Sequence, residues 1–63
     1  MRKLRSYMVL FEDTTTTLAE HLGISRQTLS GRMNGRSSFK SDEIVRISER
    51  YHLSSDEIVD IFF

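Results

Sequence analysis

Apolar residues recur along the whole chain at the three- and four-residue spacing that places side chains on one face of an α-helix. The stripes are Leu4, Tyr7, Met8 and Phe11; Leu18, Ala19 and Leu22; Leu29 and Met33; Ile44, Ile47 and Tyr51; and Ile58 and Phe62. Polar stretches that contain glycine, serine or threonine separate them. The pattern predicts an all-α fold, a compact bundle of five short helices.

The residues between the stripes indicate where the second and third helices begin and end. The second helix is expected to begin within Thr14–Thr17, capped either by Thr14 or by Thr17 in a capping box with Glu20. The sequence leaves both caps open. Gly23 ends this helix in the left-handed conformation, and Ser25 caps the next one, which stops at Asn34-Gly35.

Two more helix starts follow in the last third of the chain. Residues 36–40 form a polar loop with one apolar anchor, Phe39, after which Ser41 is predicted to cap the fourth helix. Asp42 and Glu43 then lie at the positive end of that helix. Ser54 and Glu57 have the spacing of a capping box, which predicts a short fifth helix running to the end.

Length and composition restrict the class of protein. A chain of 63 residues is expected to form one domain, residues 1–63. It has no cysteine, which excludes disulfides and thiolate metal sites, and no apolar run near the roughly 18 residues of a membrane span. The basic start is not followed by the apolar core of a signal peptide. These features predict a protein of the cytoplasm.

Charge is unevenly distributed although the net charge is zero. Residues 1–40 carry seven Lys and Arg against three acids, a net +4, and residues 41–63 carry two Arg against six acids, a net −4. A phosphate backbone is attracted to the first part and repelled by the second. The distribution therefore favours a nucleic-acid partner for residues 1–40.

The segment from Leu18 to Leu29 has the requirements of a helix-turn-helix. Two short helices are joined by a turn whose first residue is Gly23, and small Ala19 lies where the helices must approach closely. Apolar Leu22, Ile24 and Leu29 are placed to hold the pair together. In this arrangement the second helix projects from the domain into a major groove of DNA. We place the motif at about residues 15–34.

In these residues the chain resembles the Cro/lambda-repressor-like helix-turn-helix family, also called the xenobiotic-response-element family. The resemblance is carried by residues 17–25, 28–30 and 34–36, and by Ile44, Ile47, Leu53, Ser54 and Ile58. It covers roughly residues 4–62. The small size most resembles the Cro repressors of phages and prophages. Two positions depart from the family pattern, because Thr15 and Gly31 stand where the family often has a long polar residue.

The resemblance implies which side chains meet DNA. It places the start of the 25–34 helix in the major groove, where Arg can pair with guanine and Gln with adenine. The implied base contacts are Arg26, Gln27, Thr28 and Ser30. The implied contacts to the DNA backbone are Thr15, Thr16, Ser25, Arg32, Arg36 and Lys40.

Each contact has a simpler alternative in the sequence. Arg26 and Gln27 lie in a first helical turn, where solvated polar residues are common, and Thr28 can bond within its own helix. Arg32 can cover the edge of the core with its stem. Gly31 costs roughly 1 kcal/mol against alanine in a helix, and it serves close approach either to DNA or to a neighbouring helix.

The last residues of the chain suggest a second copy as partner. If Ile58 and Phe62 close the core, then Val59, Ile61 and Phe63 remain, and a domain this small is not expected to bury them all. The resemblance also implies dimers formed near the C-terminus. We therefore take Val59, Ile61, Phe62 and Phe63 as the candidate dimer interface.

These features predict a transcriptional repressor that binds a palindromic operator in double-stranded DNA as a homodimer. The alternative is a protein-interaction module, such as an antirepressor, that uses the same helical surface. Activator and recombination-directionality roles also stay open. No catalytic set, metal cluster or phosphate loop is visible, and His21 and His52 share no ligand spacing, so we expect no enzyme, metal or cofactor. No membrane or small-molecule partner is indicated.

Overall fold

The computed structural model describes all 63 residues, and every regular element in it is an α-helix. The helices are α1 (Arg2–Leu10), α2 (Thr15–Leu22), α3 (Arg26–Met33), α4 (Ser41–Tyr51) and α5 (Ser55–Phe62). The predicted all-α bundle of five short helices is confirmed. None of the helices has both the length and the apolar character needed to cross a membrane.

The core is built by the first four helices. Its nine buried apolar residues are Leu4, Met8, Leu18, Ala19, Leu22, Leu29, Met33, Ile47 and Tyr51. Helix α2 packs on both α3 and α4, and α4 packs on α5. Burial of one leucine or isoleucine stabilises the fold by about 1.5–3 kcal/mol. The core therefore fixes the relative placement of the two helices of the motif.

Five members of the predicted stripes are less buried than expected: Tyr7, Phe11, Ile44, Ile58 and Phe62. Phe11 stays 41% exposed because α1 ends at Leu10 and the chain turns through Glu12, which adopts a left-handed φ of 59°. The Phe11 ring lies against Tyr51 at a centroid distance of 5.0 Å. Ile44 is half-buried at the rim of α4. Phe11 therefore covers Tyr51 from outside. The expectation that Ile58 closes the core with Phe62 is wrong, because Ile61 packs against the core with Phe62 instead.

The structure decides between the two caps that the sequence left open for α2. Thr14 is the N-cap, since its Oγ1 accepts from the Thr17 N–H at 3.1 Å and Thr17 Oγ1 accepts from the Thr14 N–H at 2.9 Å. The alternative box of Thr17 with Glu20 is wrong. Gly23 ends α2 with φ 72°, as predicted.

The predicted cap of α4 is also wrong, because Lys40 rather than Ser41 precedes the helix. A lysine side chain has no acceptor for a cap. The Glu43 carboxylate, three residues into the helix, instead accepts from the Lys40 backbone N–H at 2.9 Å. The predicted box at α5 is confirmed, with Ser54 Oγ accepting from the Glu57 N–H at 3.2 Å.

Helix α5 is attached at the periphery of the bundle. None of its residues is fully buried, and Phe62 meets Phe39 edge to face at a centroid distance of 5.3 Å. Glu57 accepts a hydrogen bond from the Tyr7 hydroxyl of α1. A salt bridge between Lys3 and Asp60 on the exposed side adds a weaker tie.

Candidate nucleic-acid interface

One polar cleft lies between the start of α2 and the outer face of α3. It encloses about 350 Å³ and has no hydrophobic residue in its lining, which consists of Thr15, Arg26, Gln27, Ser30 and Arg36. All five are among the candidate DNA contacts. The helix-turn-helix brings them together from three segments of the chain. Their side chains supply donors and hydroxyl groups and no carboxylate.

The N-terminal turn of α3 explains why Arg26 and Gln27 face outward. Ser25 has extended backbone angles, and its Oγ accepts from the Thr28 N–H at 3.0 Å. The Ser25 hydroxyl also donates to Thr28 Oγ1 at 2.8 Å. Leu29 and Met33 point into the core. The long side chains of Arg26 and Gln27 are consequently left exposed at the rim of the cleft.

Ser25 and Thr28 have local roles that account for their hydroxyl groups. Each bonds to the other within the cap of α3, and neither lines the cleft. Ser30 does line it, and its Oγ accepts from Asn34 Nδ2 at 3.3 Å.

The cleft has a positive electrostatic character. Arg26 and Arg36 have no carboxylate partner, since the three salt bridges of the protein join Lys3 with Asp60, Arg32 with Glu43, and Arg50 with Asp13. Exposed Lys40 is also unpaired but lies outside the cleft lining. The backbone N–H groups of Thr15 and Thr16 are in the first turn of α2, where a helix leaves its donors free. Their partial positive charge adds to that of the arginines.

Arg32 is directed away from the cleft. Its Nε donates to Glu43 Oε1 at 2.6 Å, and its Nη1 donates to Ser37 Oγ at 3.1 Å. The side chains of Arg32 and Glu43 are only 11% and 4% exposed. The structure thus ties Arg32 to Glu43 and Ser37 and leaves it outside the cleft lining.

The buried carboxylate of Asp13 holds the start of α2 in place. Asp13 has a side chain only 3% exposed, and Arg50 donates to its two oxygens at 2.7 and 2.8 Å. The Tyr51 hydroxyl and Thr17 Oγ1 donate to it at 2.7 and 2.8 Å. The hydrogen bonds from Arg50 hold the pKa of Asp13 well below its usual range, against the effect of burial. Burial and the bond to Asp13 raise the pKa of Tyr51.

Gly31 lies one turn beyond Gln27 on α3. A Cβ built at this position would meet nothing closer than the Cβ of Arg36, at 4.0 Å. Packing against a neighbouring helix therefore does not explain the glycine.

The four candidate dimer residues fall into two pairs. Val59 and Phe63 are 58% and 87% exposed. Ile61 and Phe62 are half-buried and pack against the core. Next to Val59, a mostly apolar groove of about 500 Å³ runs between α4 and α5, lined by Ile44, Val45, Ser48, Glu49, Leu53 and Ile58.

Comparison with known proteins gives one match. A family model described as helix-turn-helix, of the Cro/lambda-repressor-like kind, matches residues 4–58 and so covers most of the chain and all of the cleft. Neither the curated proteins nor the solved structures contain a significant match. No three His, Cys, Asp or Glu side chains are placed to hold a metal ion.

Proposed function

Because the chain belongs to the Cro/lambda-repressor-like helix-turn-helix family, whose members are DNA-binding transcription regulators, we propose that it is a Cro-like repressor of phage or prophage origin. In this proposal it binds a palindromic operator as a homodimer and represses transcription there. It has no enzymatic role, and it acts in the cytoplasm of a bacterial host, on the nucleoid. The observation that carries the proposal is the wholly polar, carboxylate-free cleft of α2 and α3.

Base recognition is assigned to the exposed start of α3. Arg26 and Gln27 are long enough to reach base edges from a helix lying in the major groove, where Arg pairs with guanine and Gln with adenine. Ser30, in the same cleft, is short and suits a thymine methyl group or a nearby phosphate. Thr28 is a secondary candidate, because its hydroxyl already bonds to Ser25.

Phosphate contacts are assigned to groups on both sides of α3. The free N–H groups and hydroxyls at Thr15 and Thr16 suit one phosphate, as a helix N-terminus does. Unpaired Arg36 and Lys40 suit others on the opposite side. Ser25 is left with its capping role, and Arg32 is bonded to Glu43.

A binding selection from random DNA tests the proposal. Wild type is expected to enrich a short palindromic motif. Arg26→Ala and Gln27→Ala should each weaken binding to that motif by about 1–3 kcal/mol and relax preference at particular base pairs.

Arg36→Ala is the matched control for this experiment, because it also removes one cation from the cleft. It should weaken cognate and scrambled DNA alike and flatten the log–log salt dependence by about 1. Enrichment of no motif by wild type would contradict the proposal and would favour the protein-interaction module.

Homodimerisation is proposed from the apolar surface at the C-terminal end. Each chain has one recognition helix, and two of them are needed about 34 Å apart to read a palindrome on one DNA face. Exposed Val59 and Phe63 provide an apolar patch for a second copy. Ile61 and Phe62 support this patch from the core side.

Sedimentation of wild type and of a Val59→Asp, Phe63→Asp variant tests the dimer, together with footprinting on the selected motif. The variant should sediment as a monomer and bind the palindrome weakly. Leu10→Asp is the control, because Leu10 is a highly exposed apolar residue on α1 that lines neither the cleft nor the groove. Wild type that stays monomeric at high micromolar concentration and protects one half-site would contradict dimerisation alone.

A further inference from the structure

The buried ion pair of Arg32 and Glu43 joins α3, the following loop and α4. We propose that these two residues are positioning residues, which hold the loop of residues 35–40 so that Arg36 and Lys40 meet DNA phosphates, and that Arg32 itself contacts no phosphate. The inference rests on the proposed function and adds how its phosphate contacts are oriented.

The hydrogen bonds converge on a single carboxylate oxygen. Glu43 Oε1 accepts from Arg32 Nε at 2.6 Å and from the Lys40 backbone N–H at 2.9 Å. The other end of the guanidinium donates to Ser37 Oγ at 3.1 Å. The middle and the last residue of the loop are therefore both tied, through this pair, to the end of the recognition helix.

The loop has little else to hold it. Its own backbone hydrogen bonds are confined to its start, where Gly35 donates to Arg32 and Arg36 donates to Gly31. No backbone N–H from residue 37 to residue 39 donates to a backbone carbonyl. Apart from Phe39, which packs on Phe62, the fixed points after Arg36 are the two bonds supplied by the ion pair.

Burial argues against a phosphate role for Arg32. Its side chain is 11% exposed and that of Glu43 is 4% exposed, so a phosphate would have to draw the guanidinium out of its place. That movement would leave Glu43 charged, buried and unpaired, which is strongly unfavourable. The Arg32 guanidinium already makes two hydrogen bonds inside the protein, so it is suited to holding the loop in place.

Replacement of Glu43 separates the two roles by the sign of its effect. Glu43→Gln removes a negative charge and loosens Arg32. If Arg32 bound phosphate, DNA binding would become tighter. If the pair positions the loop, binding should weaken by about tenfold, the loss expected for one charge-assisted hydrogen bond. Exposed Asp42, the preceding residue of the same helix, gives the control, since Asp42→Asn also removes one negative charge and should not weaken binding.

A double-mutant cycle distinguishes positioning from general loss of structure. In an Arg36→Ala, Lys40→Ala background the loop has no phosphate contact to orient, so Glu43→Gln should then change the dissociation constant less than about twofold. Circular dichroism checks that each variant is folded. If Glu43→Gln does not fold, Ser37→Ala replaces it in this test. This substitution at an exposed residue removes the bond from Arg32 and should weaken DNA binding about twofold to threefold.

The outcomes are separable from those of the proposed function. Wild type that binds no DNA would overturn both. If wild type binds DNA, two results would overturn only the positioning role. One is tighter binding by Glu43→Gln, and the other is an equal loss of affinity from Glu43→Gln in wild type and in the Arg36→Ala, Lys40→Ala background. A loss of affinity caused by Glu43→Gln that is absent in the Arg36→Ala, Lys40→Ala background supports the positioning role.

Discussion

Helices α3 and α5 have the same length and the same kind of cap, yet they are held differently. Both have eight residues, and each begins with a serine whose hydroxyl accepts from a backbone N–H three residues later. Helix α3 buries Leu29 and Met33 and turns a polar face outward, whereas α5 buries no residue fully and leaves Val59 and Phe63 exposed. Local signals make each helix, and the surroundings of each helix decide what its outer face can bind.

The largest expected effect on the free energy of unfolding comes from shortening a core-facing side chain of each helix. Leu29 is fully buried, so Leu29→Ala should destabilise the protein by about 3 kcal/mol through lost burial and an unfilled cavity. Phe62 is half-buried at the periphery, and Phe62→Ala should cost about 1–2 kcal/mol. Urea unfolding measures both. Equal losses would show that α5 belongs to the core as fully as α3.

A second contrast concerns the carboxylates that tie each region to the rest of the protein. The pKa of Asp13 is lowered by its bonds from Arg50, and that of Glu57 is lowered by its bonds from Tyr7 and Ser54. The Asp13 side chain is buried, while Glu57 is only half-buried. Asp13→Asn should therefore cost about 2 kcal/mol at neutral pH, since Arg50 is left without its partner at a partly exposed position. Glu57→Gln should cost much less.

The pH dependence has a definite sign. A carboxyl whose pKa is lower in the folded state stabilises the protein above its unfolded value, near about 4, and loses that contribution as pH falls below it. Wild type should therefore lose stability between about pH 5 and pH 2. Asp13→Asn should remove most of that loss, and Glu57→Gln should leave most of it. Thermal unfolding across this range checks the contrast, and an unchanged acid limb in Asp13→Asn would contradict it.

The smallest expected effect on stability has the opposite sign. Gly31→Ala adds a methyl group where there is space, so the fold should gain about 0.5–1 kcal/mol from helix propensity. If α3 lies in the major groove as proposed, the same methyl group should weaken DNA binding. A variant that is more stable and binds the selected DNA as tightly as wild type would remove close approach as the reason for the glycine.

Local features of the fold could be predicted from the sequence, and long-range ones could not. The caps at Ser25 and Ser54 depend on residues three positions away, and both were predicted correctly. The cap at Ser41 was predicted wrongly because Glu43 bonds to the Lys40 N–H while it also pairs with Arg32.

The two buried carboxylates show the same limit for the candidate site. Arg50 lies 37 residues from Asp13, and Arg32 lies 11 residues from Glu43. No local sequence pattern indicates such pairs. An acid before a run of threonines, or in the first turn of a helix, looks like a favourable surface charge until its distant partner is known. The five residues that line the cleft are among the ten candidate DNA contacts that the family resemblance implies, and their contact with DNA stays a prediction.

Cross-saturation in a complex of the deuterated protein with its selected DNA duplex tests the central claim most directly. When the DNA protons are saturated, the backbone amide signals that weaken mark the residues touching DNA. We predict losses at Thr15, Thr16, Gln27, Ser30 and Arg36, and none at the groove between α4 and α5. Losses confined to that groove, with the amides at the start of α2 and along α3 unaffected, would contradict the assignment of the polar cleft as the DNA-binding face.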